Sequence, residues 1–177
     1  TAAIPAVHAD RLVAAEESGK AAVRLIESRI TPRQVITHKS VENAIRVEAH
    51  ACGGRVEMLA DGGAVVTLSG ARVATDQAAQ AARCALALRE LCPGRPMALS
   101  TGRAEVTGKL PVGDAIDRAA RALEQLMRAL RAAPAAWRAS PITVDEVTAG
   151  LLDARFDLIE TDAGLLLRCE QVLAEGA

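Results

Sequence analysis

Two periodicities divide the chain. Val41, Ala44, Ile45, Glu48 and Cys52 keep one helical register, which predicts a helix from Ser40, as its cap, to Cys52, stopped by Gly53-Gly54. Arg55 to Leu59 and Ala64 to Leu68 are β-favouring runs on either side of Ala60-Asp61-Gly62-Gly63, and an Asp-Gly step between such runs predicts a hairpin. Thr75 then caps an Ala-rich helix to about Leu91, before Cys92-Pro93-Gly94, and Met97 to Val106 reads as a strand passing Thr101-Gly102. From Asp114 the positions Ile116, Ala119, Ala120, Leu123, Met127 and Leu130 form one apolar stripe, which predicts a helix to about Ala132. Ala133 to Ser140 reads as an exposed connection and Pro141 to Val144 as a short strand. Asp145 caps a helical turn through Leu152. The chain closes on a second hairpin, Phe156 to Glu160 and Leu165 to Cys169, around Thr161-Asp162-Ala163-Gly164.

The first forty residues stay open. Leu12, Ala15, Ala22, Ile26 and Ile30 suit a helix, whereas Val23 to Ile26 suits the start of a strand, and Thr31-Pro32 breaks whatever precedes it. Residues 1–40 are therefore read as a segment of uncertain structure and 41–177 as the folded unit, one domain overall. The element order predicts an α+β fold, a mainly antiparallel sheet with helices packed on one face.

Composition narrows the partners. The chain has 177 residues, half of them apolar and 24% charged, enough for one core. Phe156 and Trp137 are the only aromatic residues, so stacking on bases has almost nothing to use. A net charge of −1 supplies no field to draw the chain to nucleic acid or to an anionic membrane. Cys52, Cys84, Cys92 and Cys169 lack metal-ligand or disulfide-framework spacing and read as free, mostly buried thiols. With no apolar run of membrane length and no secretory start, a cytoplasmic location is expected. His8, His38 and His50 show no ligand pattern. The sequence opens at Thr1, which suggests a piece of a longer protein.

Three segments resemble the catalytic domain of class III adenylate and guanylate cyclases. Gly53-Gly54-Arg55-Val56 with Leu59-Ala60-Asp61-Gly62 is similar to that family's G-G-R-V strand and L-G-D-G hairpin. Ser100-Thr101-Gly102-Arg103 resembles its H-T-G-E strand, and the stretch from Gly113 to Arg121 resembles its G-D-x-V-N-x-A-A-R helix start. The resemblance spans about residues 41–169. It implies a ferredoxin-like cyclase-homology fold, and it is closest to degenerate domains of bacterial signalling proteins that carry a Ser/Thr kinase, an ATPase or helical repeats.

It also implies what catalysis requires. A cyclase of this class holds two Mg²⁺ or Mn²⁺ ions on two aspartates, one ion activating the ribose hydroxyl and one bridging the phosphates. Asp61 matches the second aspartate. The first has no counterpart in Leu12 to Ser18, where Glu16 and Glu17 are the substitutes on offer. The family's base-reading lysine falls where this chain has Glu57 and Met58, and Thr107 to Pro111 supplies no second base-reading group. Asp117 stands in place of the family's asparagine, an acceptor-only group beside a polyphosphate. Arg121 matches the transition-state arginine.

Each match also has a plain structural reading. Asp61 opens an Asp-Gly turn, Asp114 suits a helix start, Asp117 and Arg121 are an i,i+4 surface pair, as are Glu124 and Arg128, and Arg118, Arg121, Arg128 and Arg131 suit a solvated face. The expectation is a catalytically inactive cyclase-homology domain, needing no cofactor, that regulates or assembles a larger signalling protein. Its partners would be other domains of that protein and, by the resemblance, a second copy, since these cyclases dimerise head to tail. The alternatives are a nucleotide-binding or active homodimer, a phosphorus–oxygen lyase with metal on Asp61 and nucleotide on Arg121, and a metal-free small-molecule sensor.

Overall fold

A computed structural model describes residues 20–25, 35–70, 73–103, 105–107, 110–134 and 140–171. The elements are β1 (Lys20–Leu25), α1 (Val35–Ala51), β2 (Gly54–Met58), β3 (Ala64–Leu68), α2 (Ala74–Leu91), β4 (Met97–Gly102), β5 (Glu105–Thr107), β6 (Leu110–Val112), α3 (Asp114–Ala132), β7 (Ile142–Val144), α4 (Glu146–Leu151), β8 (Phe156–Thr161) and β9 (Gly164–Glu170). Seven strands form one sheet in the order β2-β3-β1-β4-β7-β9-β8, and β5 pairs with β6 alone. Every pairing is antiparallel except β4 with β7.

The first half of the sheet is ferredoxin-like, as expected. β1 and β2 flank β3 and run in the same direction, joined by the crossover helix α1, and β4 lies antiparallel on the other side of β1. The strand alternative for the first forty residues is the one the fold adopts over Lys20–Leu25, and that strand lies inside the sheet between β3 and β4. The folded unit thus reaches back before residue 41.

Side chains alternate across the sheet, and the helices divide accordingly. Met97 and Leu99 of β4 face a core of Ile45, Ala49, Ala81, Ala82, Ala85 and Leu88, supplied by α1 and α2. Ala98 faces Ala115, Ala119, Leu123 and Leu126 of α3. The α+β class and the mainly antiparallel sheet match expectation. The helices occupy both faces, because β4 and β9 carry buried apolar residues on alternate positions and each face needs a cover.

Several boundaries differ. α1 starts at Val35 and not at Ser40. Thr75 lies inside the first turn of α2; the capping position is Val73, with no side-chain bond. Asp114 is likewise the first residue of α3 and Gly113 its cap. The single strand expected to Val106 ends at Gly102 and gives way to the small β5–β6 hairpin. Asp145 does cap α4, accepting from Thr148 N–H. Both glycines after α1 have a reason: Gly53 sits at φ 78°, and a Cβ on Gly54 would meet the Ala49 carbonyl oxygen at 3.1 Å.

The β8–β9 end is pinned by charge. Arg83 on α2 forks onto the Glu170 carboxylate at 2.6 to 3.0 Å and lies over the Phe156 ring at 5.7 Å. Asp153 is held down to a pKa of about 2, mainly by its hydrogen bonds from Arg155. A carboxylate depressed on folding adds stability above its unfolded pKa of about 4 and loses it as pH falls towards about 2. Asp153→Asn should therefore lower Tm slightly at neutral pH and flatten the acid limb of a Tm-against-pH curve, meeting wild type near pH 2, and the effect stays small because the pair is exposed.

Candidate functional site

The residues singled out from the sequence fall into three places. Asp61 lies in the β2–β3 turn. There its Oδ1 accepts from Gly63 N–H at 2.8 Å, Leu59 N–H bonds Gly63 O at 2.8 Å, and Gly62 takes φ 82°. The carboxylate thus closes its own turn. Asp61→Ala should lower stability by about 1 kcal/mol, with Asp61→Asn close to wild type because the amide oxygen keeps the acceptor. Thermal melts with and without Mn²⁺ check this: a metal role would instead make both variants lose an ion-dependent stabilisation.

The second place is the start of α3. Asp114 and Asp117 are exposed, and so is Arg121. Arg121 Nε donates to the Asp117 backbone carbonyl at 3.0 Å, and Arg128 Nε to that of Glu124 at 3.4 Å. Both arginines fold back along the helix, but onto carbonyl oxygens and not onto the i−4 carboxylates that sequence spacing suggests.

The third place is where α3 meets β4, and sequence reasoning missed it. Arg118, assigned above to a solvated face, instead reaches inward. Its Nε donates to Asp145 Oδ2 at 2.5 Å and its Nη2 to the Thr101 carbonyl at 2.7 Å. Thr148 Oγ1 accepts from Thr101 N–H at 2.6 Å, and its hydroxyl bonds Asp145 Oδ1 in turn. Asp145 and Thr148 are buried, so one carboxylate gathers α3, β4 and α4. Gly102 makes room for this, since a Cβ there would lie 2.6 Å from Arg118 Nη2 and 3.1 Å from Ala115 Cβ. A helical arginine three residues before Arg121 on the polar edge of an amphipathic stripe carries no sequence signal for this pairing. The Asp145-x-x-Thr148 cap was the visible half.

Within one chain these places are separate. Leu25, at one end of β1, pairs with Ala64 beside the Asp61 turn; Lys20, at the other end, pairs with Gly102 beside the start of α3. Five residue steps of strand are about 17 Å. Glu16 and Glu17 lie outside the described residues. β1 itself reads Lys-Ala-Ala-Val-Arg-Leu, with no acidic residue. Among the described residues no group of three or more His, Cys, Asp or Glu is placed to hold a metal ion. Among the described residues, then, Asp61 is the one matched carboxylate at that end of the sheet, and its Oδ1 takes part in the turn.

The thiols are less uniform than expected. Cys84 and Cys92 are buried, Cys52 is half-buried and Cys169 is exposed. No helix among the described residues is long and apolar enough to cross a membrane.

Comparison with known proteins gives two different answers. A family model described as Dihydroxy-acid/6-phosphogluconate dehydratase N-terminal matches residues 1–104. Two curated relatives, the dihydroxy-acid dehydratases of Methanoregula boonei and Methanospirillum hungatei, are 51% identical over 53 residues and 42% over 69. Those matches take in 30% and 39% of this chain but only 10% and 12% of the relatives, so the chain spans about a tenth of their length. Solved structures with the same fold are instead nucleotide cyclase domains. The dimeric guanylyl cyclase domain of the RhoGC fusion protein of Blastocladiella emersonii aligns over 84% of this chain and 92% of its own, with TM-score 0.59 at 14% identity. The guanylate cyclase domain of RhGC from Catenaria anguillulae, solved with GTP, aligns over 86% and 97% with TM-score 0.57 at 16% identity. The adenylyl cyclase CyaB of P. aeruginosa aligns over 86% and 95%, with TM-score 0.56 at 12% identity. At such identities the likeness is one of fold.

Proposed function

The chain belongs, through residues 1–104, to the dihydroxy-acid/6-phosphogluconate dehydratase N-terminal family, while its described residues take the cyclase-domain fold, and from that premise we propose that it works as a catalytically inactive cyclase-homology domain. The observation that carries this reading is strand β1. A two-cation cyclase needs a second acidic side chain beside the one matched by Asp61, and β1, which reads Lys20, Ala21, Ala22, Val23, Arg24 and Leu25, carries none. Asp117 in place of an asparagine adds a negative charge on the helix that would have to face a polyphosphate.

What is left is a folded scaffold with surfaces. It would regulate or assemble a larger signalling protein, one carrying a Ser/Thr kinase, through contacts with that protein's other domains or with a second copy. The dimeric cyclase domain among its structural relatives supports the second-copy reading.

Incubating the protein with ATP or GTP and Mn²⁺ tests this. No cyclic nucleotide above the protein-free control is expected. Steady production that Asp61→Ala abolishes would sink the proposal in favour of an active cyclase.

A second reading follows from the family match alone: the chain would be part of an enzyme that removes water from a dihydroxy acid. Turnover of such an acid by the full-length protein, with no effect of Arg118→Ala beyond its effect on folding, would favour that reading.

A further inference from the structure

We propose that Cys52 and Cys84 form a redox-responsive dithiol that, on oxidation, becomes a disulfide clamping the end of α1 to the middle of α2. Cys52 follows the last residue of α1, where its amide bonds Glu48 O at 3.0 Å. Its own carbonyl accepts from Gln80 Nε2 of α2 at 2.7 Å, which brings the α1 end onto the face of α2 that carries Gln80. Cys84 lies four residues further along α2, on that same face. Gly53 presses on the same spot, since a Cβ there would lie 3.4 Å from Gln80 Nε2. Both residues belong to one apolar cluster, with Cys84 inside it and Cys52 packed at its margin, near enough that the Cys52 thiol helps to push the Cys84 pKa up.

Their surroundings divide the chemistry between them. Burial, and then the Cys52 thiol, push the Cys84 pKa up, so Cys84 stays protonated and unreactive alone. Cys52 is half-buried and therefore the sulfur an external reagent reaches. With a low-molecular-weight disulfide as oxidant, the Cys52 thiolate attacks one of its sulfurs and expels the first thiolate, leaving a mixed disulfide. Cys84 then loses its proton and attacks Cys52 Sγ of that mixed disulfide, breaking its bond to the small-molecule sulfur, which leaves as the second thiol. Two protein thiols are oxidised, one disulfide is reduced to two small thiols, and the protons end on the released thiols. Cys92 is buried one residue beyond the end of α2, eight positions and about 12 Å of helix from Cys84.

The clamp closes the corner from which β2 leaves for the Asp61 turn, so oxidation would stiffen the α1–β2 edge of the sheet. The test treats the purified chain with oxidised glutathione, blocks remaining thiols with iodoacetamide, and maps peptides by mass spectrometry. A Cys52–Cys84 cross-link should form in monomer and raise Tm by about 5–10 °C, reversibly with dithiothreitol. Cys52→Ser, at a half-buried position, should keep the reduced Tm within a few degrees and lose the oxidised shift, while Cys169→Ser keeps both. Glutathione or intermolecular disulfides on Cys169 alone, with Cys52 and Cys84 both alkylated after oxidation and unfolding, would overturn the proposal. So would an oxidised Tm shift that survives Cys52→Ser.

Discussion

Arg118→Ala is expected to destabilise the fold by about 3 kcal/mol, measured as a fall in the urea midpoint at unchanged m-value. The Asp145 side chain is 6% exposed and that of Arg118 27% exposed. Removing the arginine strands a carboxylate that has little access to water, and it frees the Thr101 carbonyl that the same guanidinium satisfies. Arg118→Lys should recover only part of the loss, since an ammonium lacks the planar fork that reaches Asp145 and Thr101 together. Gly102→Ala reaches the same network from the other side. Its methyl would lie 2.6 Å from Arg118 Nη2, so the guanidinium must shift, and the loss should be smaller than, and not additive with, that of Arg118→Ala. A surface-like loss under 0.5 kcal/mol for Arg118→Ala would mean that the solvated-face reading is right.

The second large effect concerns the two faces of the sheet. Leu88→Ala on α2 and Leu126→Ala on α3 each remove a fully buried side chain, and each should cost about 3 kcal/mol. Leu88 packs in the cluster of α1 and α2, Leu126 in that of α3. They pack in separate clusters, so the double variant should lose about 6 kcal/mol, the sum of the two. A sum that falls well short would show that the faces communicate through β4. Against a typical domain stability of about 5–15 kcal/mol, a loss of about 6 kcal/mol is large, so the cycle is best read at low temperature by chemical denaturation.

These expectations rest on features that differ in how visible they were beforehand. The hairpin at Asp61-Gly62 and the one at Thr161 to Gly164 were legible because turn chemistry is local: Gly62 at φ 82° and Gly164 at φ 103° need glycine whatever surrounds them. α2 and α3 were legible because an apolar stripe at helical spacing needs no knowledge of its partner. The caps at Ser40 and Thr75 misled, because a capping residue states only that a helix can begin there, and α1 in fact begins at Val35 and α2 at Ala74.

The candidate site was legible residue by residue and not as an arrangement. Asp61, Asp117 and Arg121 could be picked from motifs, but their separation along β1, and the turn bond that occupies Asp61, depend on register.

By itself, the order of periodic segments determined the α+β class, the two hairpins, the Asp145 cap and the lack of charge to draw nucleic acid. Each of these follows from interactions a few residues apart. Tertiary structure alone decided that Lys20–Leu25 is a strand inside the sheet, that helices cover both faces, that Arg118 turns inward to Asp145, and that Cys52 meets Cys84. All four join residues 27 or more apart or choose between local conformations of nearly equal energy, and only burial against the rest of the fold separates those choices.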